Sequence, residues 1–85
     1  GFPNPFNPST TIPYGLTVAS NVSLCIYDIS GRVIKQLING AQQASAYRQV
    51  WDGQDSKHHP APAGVYLARL TAGQSVQTIK LLLLR

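Results

Sequence analysis

The run Val22-Ser23-Leu24-Cys25-Ile26-Tyr27-Asp28 alternates apolar and more polar residues, and turn residues close it at both ends. Strict alternation puts one face of an extended strand on a core and the other toward solvent. Val22, Leu24 and Ile26 are expected to point inward, with Ser23, Cys25 and Tyr27 on the opposite face. A chain built from several such runs must stack sheets, because no single strand buries its own apolar face.

The same punctuation recurs. Thr10, Ile12, Tyr14 and Leu16 alternate with Thr11, Pro13 and Gly15, and Pro13 restricts that strand to a sheet edge or a bulge. Ala19-Ser20-Asn21 turns the chain, and so does Asp28-Ile29-Ser30-Gly31. Arg32 to Asn39 fits either a helical or a strand spacing, and the closing Asn39-Gly40 favours a hairpin strand. Ala46 to Asp52 follows, with Tyr47, Gln49 and Trp51 on one face. A polar loop then runs from Gly53 to Gly64 through His58-His59 and two prolines. Val65 to Thr71 should send Tyr66, Ala68 and Leu70 inward and Arg69 outward. Ala72-Gly73 turns into a last strand, Ser75 to Arg85. These signals predict an all-β, antiparallel β-sandwich of about seven strands.

At 85 residues there is room for one core and none for a cleft between domains. Three prolines within residues 1–8 suggest an extended arm or linker end, leaving residues 9–85 as a single β-sandwich domain. The start without Met suggests a fragment of a larger protein. The charge of +4 comes from basic residues scattered along the chain, not from a stripe with interleaved aromatics, so no nucleic-acid partner is expected. One cysteine, Cys25, excludes an intradomain disulfide and reads as a small buried hydrophobe. The apolar tail is too short and too interrupted for a membrane span.

Chemistry-bearing clusters are few. Adjacent His58 and His59 point opposite ways along an extended loop and are poor joint metal ligands. Asp52 and Asp55 lack the further acids of a calcium loop. No serine occupies a nucleophile elbow, and three acidic residues cannot furnish a glycosidase pair with its supports. No catalytic residue, metal or cofactor is expected. Trp51 and the tyrosines could form a sugar platform, but a domain without Met needs those rings as core volume.

The last strand departs from the rule. Ile79, Leu81 and Leu83 share one face, yet Leu82 and Leu84 on the other face are also apolar. Such a strand is either covered on both sides or presents an apolar surface to a partner.

Five segments together resemble a known family: Pro3 to Ile12, Ile26 to Arg32, Trp51-Asp52-Gly53-Gln54-Asp55, Ala63-Gly64-Val65-Tyr66, and Lys80 with its leucine tail. Their order resembles the type A C-terminal sorting domain of the type IX secretion system. That domain is related to the immunoglobulin-like domain of the flagellar hook-capping protein. The resemblance implies an immunoglobulin-like sandwich in a secreted or surface-exposed Bacteroidetes-type protein, reached through the periplasm and outer membrane. It implies a C-terminal sorting signal fused to an upstream cargo, with the outer-membrane secretion machinery and a sortase-like peptidase as partners. Carried over by position, the recognition residues would be Gly64, Tyr66, Lys80, Leu81, Leu82, Leu83, Leu84 and Arg85. Pro13 and Gln49 depart from the family pattern, at sites commonly charged and apolar respectively.

Two other functions fit the same fold. An accessory spacer or carbohydrate-binding module would stay on a mature secreted enzyme, whereas a sorting module is removed. A structural assembly protein, like the hook-cap relative, would self-associate.

Overall fold

A computed structural model describes residues 9–84. The expected arm over residues 1–8 and Arg85 lie outside that range. Six strands follow one another: β1 (Thr10–Leu16), β2 (Ser20–Asp28), β3 (Val33–Gln42), β4 (Ser45–Trp51), β5 (Gly64–Ala72) and β6 (Ser75–Leu83). All pairings are antiparallel. β3-β2-β5-β6 form a four-stranded sheet, and β1 pairs with β4 as a two-stranded ribbon packed over it. The all-β, immunoglobulin-like sandwich is therefore present, with six strands among the described residues for the expected seven or so.

The core lies between ribbon and sheet. Ile12, Tyr14 and Trp51 come from the ribbon, and Val22, Leu24, Ile26, Tyr66, Ala68, Leu70, Leu81 and Leu83 from the sheet. Alternation delivers these side chains as expected in β1, β2 and β5. Pro13 sits in β1, which among the described residues pairs with β4 alone, so its missing N–H costs no ladder bond on the other side. Tyr14 and Tyr47 face each other across the ribbon and stack with ring centroids 5.2 Å apart. Burial pushes the Tyr14 phenol up, and its hydroxyl donates to Gln42 Oε1 at 2.6 Å.

β3 differs from expectation in two ways. Asn39-Gly40 does not close the strand but pairs inside it, against Ser23 and Val22. The register with β2 also slips twice, between Leu24 and Cys25 and between Ile26 and Tyr27. The extra residues, Leu37 and Ile34, both turn onto the core. Those slips explain why the segment reads equally as helix or strand. Ile34, Leu37 and Ile38 all reach inward at spacings that a regular strand forbids. Cys25 also departs slightly, being half-buried on the outer face beside Ser23.

Two aspartates build loops on one plan. Asp28 Oδ1 accepts from Ser30 N at 2.9 Å and Arg32 N at 3.0 Å, while its own N–H donates to Arg32 O. Asp55 Oδ1 accepts from Lys57 N and His59 N, both at 2.9 Å, while its own N–H donates to His59 O. The fourth residue of each loop has positive φ: Gly31 at 90° and His58 at 65°. Hydrogen bonds hold both carboxyls below the usual range. The Ser30 hydroxyl contributes most at Asp28, and the His59 N–H contributes most at Asp55.

Candidate interaction surface

The residues expected to carry recognition come together on the β5–β6 hairpin, but they face two ways. Gly64 pairs with Leu83, Val65 with Leu82, Tyr66 with Leu81 and Leu67 with Lys80. Tyr66, Leu81 and Leu83 are buried. The Tyr66 hydroxyl donates to Pro62 O at 2.5 Å, four residues upstream, and its ring meets Trp51 edge-on at 5.0 Å. This is the tyrosine brace that immunoglobulin-like sandwiches use to pin a strand entrance. Gly64 opens β5 at φ 149°, where a side chain would be strained although the space beside it is open. Gly64 and Tyr66 thus shape the backbone. Lys80, Leu82 and Leu84 point to solvent instead, with Leu82 57% and Leu84 68% exposed.

Trp51, Tyr14 and Tyr66 are buried, so they offer no sugar-stacking surface. The Trp51 indole N–H donates to Gln54 O at 2.9 Å and anchors the loop that leaves β4. His58 and His59 belong to the Asp55 loop, where His59 Nδ1 lies 3.9 Å from Asp55 Oδ2. Sequence reasoning missed the αL role of His58. The signal was available in the matched Asp spacing to Gly31, three residues on in both loops.

The four-stranded sheet has two edges. β3 is covered at its start: Ser56 N donates to Ile34 O at 3.0 Å, and Lys35 Nζ lies 3.6 Å from Asp52 Oδ1. The loop after Trp51 therefore meets that edge at Ile34 and Lys35. β6 is open. Its ladder with β5 runs from Ser75 to Leu83 without a register shift, and among the described residues it pairs with no other strand. Its outer face continues across β5, where Arg69 lies over the Tyr27 ring at 5.4 Å from the centroid.

The charges around this edge have one sign. The three aspartates are engaged elsewhere: Asp28 with Arg32 and Asp52 with Lys35 as ion pairs, and Asp55 in the backbone bonds of its own loop. Arg69 and Lys80 have no acidic partner among the described residues.

Residues 8–76 match the FlgD Ig-like domain. That match covers most of the chain. The chain belongs to the FlgD Ig-like domain family. The crystal structure of FlgD from P. aeruginosa is similar to this FlgD-like domain at a TM-score of 0.67 and 31% sequence identity. The similarity covers 88% of this chain and 59% of the FlgD chain, so the chain spans under two thirds of that protein. A comparison with curated proteins finds no match.

These findings overturn the expected function. Both likenesses are to FlgD, and neither shows a type IX sorting signal or the accessory role set beside it. The physical reason lies in the residues that carried the resemblance. Asp28 to Arg32 forms a loop, Trp51-Asp52-Gly53 anchors another, and Gly64-Val65-Tyr66 braces β5. Those segments hold an immunoglobulin-like fold together, and that role says nothing about export. The FlgD-like match ends at residue 76, before the leucine-rich half of β6.

Proposed function

We propose that this FlgD-like domain is a non-catalytic structural module that contributes an assembly contact within a larger protein, through the open edge of β6. Membership of the FlgD Ig-like family supports an assembly role. The observation that carries the proposal is the contrast between the two sheet edges. An exposed, regular, apolar strand edge is a template for pairing with another chain, and proteins ordinarily blunt such edges. Here the β3 edge is blunted and the β6 edge is left open, with Leu82 and Leu84 in solvent. Action outside the cytoplasm, at the cell surface, fits this role.

The test is to place Leu82→Asp and Leu84→Asp together in the protein that carries this domain. Both side chains point away from the core, so the domain should keep its thermal midpoint while the assembled state is lost. Assembly that proceeds unchanged with both aspartates in place contradicts the proposal.

A further inference from the structure

We infer that the β6 edge takes an extended acidic–apolar segment of another protein as an added strand, in preference to a second copy of this chain. The inference rests on the assembly reading and supplies the chemistry of the partner. A strand laid beside β6 would gain main-chain hydrogen bonds from the row that β5 leaves unused. Its alternate side chains would sit opposite Thr78, Lys80, Leu82 and Leu84 on the outer face. Directly opposed side chains approach to about 5 Å, so their charges and shapes are felt pairwise. Leu82 and Leu84 select apolar residues. Lys80 selects an acid, because the aspartates of this domain are engaged elsewhere and none lies on β5 or β6. Arg69, on the same face and opposite Thr78, adds a second positive charge behind the first.

A second copy fits poorly. An isologous contact would pair β6 with β6 around a two-fold axis. Since β6 contains no acid, every register sets Lys80 against another lysine or an uncharged side chain. Two chains of net charge +4 also repel on approach. The edge is thus open to strands in general and biased by charge against its own kind.

The experiment titrates the 15N-labelled 85-residue chain with three octapeptides that alternate valine with glutamate, lysine or serine. The glutamate peptide should shift and protect the amides of residues 77–83, and bind about tenfold more tightly than the lysine peptide. Lys80→Glu should reverse that order while leaving the fold and the mapped strand unchanged. Equal binding of the acidic and basic peptides, or shifts centred on β3, would overturn the inference. So would saturation of the edge by β6–β6 dimers in the absence of peptide. Any of these results leaves the assembly proposal to be judged on the Leu82 and Leu84 variants, so the two can fail separately.

Discussion

β3 and β6 border the same sheet and are finished in opposite ways. β3 carries two bulges, a loop bonded to its Ile34 carbonyl, and a lysine paired across to Asp52. β6 has an unbroken ladder on one side, leucines on both faces, and Lys80 as its one charge within the strand. Bulges, covering loops and charges are the recognised devices that stop edge-to-edge pairing. One edge has all three and the other has one. The difference sets an edge that is bulged and partly covered against one that the proposed reading keeps available, and the following changes probe each side of it.

The largest effect should come from the two faces of β6. Leu83 is 1% exposed and Leu82 is 57% exposed, although they are chain neighbours. Leu83→Ala should cost about 2–5 kcal/mol in urea unfolding, whereas Leu82→Ala should stay within about 0.5 kcal/mol. Similar losses for both would mean that the outer face is packed, and the contrast would collapse.

On the β3 side, Ser56→Pro removes the N–H that covers Ile34 O. It should cost about 1 kcal/mol and speed amide exchange along β3. Sedimentation velocity should also show association that the parent domain lacks, because the edge has been uncovered. A smaller gain is expected from His58→Gly. His58 holds φ 65° where the equivalent loop uses Gly31, so the change should stabilise by about 0.5 kcal/mol in thermal unfolding. Lys80→Val should alter stability less than any of these, within about 0.5 kcal/mol. Its readout is light scattering, which should rise at lower protein concentration than for the parent.

Acid should weaken both loops together. Hydrogen bonds lower the Asp28 and Asp55 carboxyls in the folded state, so their contribution is complete above the unfolded value of about 3.9. It is lost as pH falls through the folded-state values below that point. Thermal midpoints should therefore be flat with respect to these groups from pH 7 to about 4 and fall below it. Asp55→Asn should reduce the fall and loosen the β3 cover, without changing exchange in β6.

How much of this was legible in the sequence varied with local regularity. β1, β2 and β5 alternate cleanly, and each buried side chain could be named from its position alone. β3 could not be resolved, because its bulges bring Ile34, Leu37 and Ile38 inward against the period of the strand. Asn39-Gly40 looked like a turn because those residues favour turns locally, yet pairing to β2 outweighed that preference. The apolar outer face of β6 was visible from Leu82 and Leu84. What no sequence pattern could show was that the loop around Ser56 would cover the start of the competing edge. The motifs most useful for recognising the fold were the least informative about function, since Tyr66 and Trp51 are absorbed in holding the sandwich together.

Amide hydrogen exchange on the protein that carries this domain, in its assembled state and compared with the isolated domain, tests the central claim most directly. If the β6 edge is the assembly contact, amides of residues 77–83 that exchange quickly in the isolated domain will become protected on assembly, and β3 will not change. Protection gained along β3, with β6 still exchanging freely in the assembled protein, would contradict it.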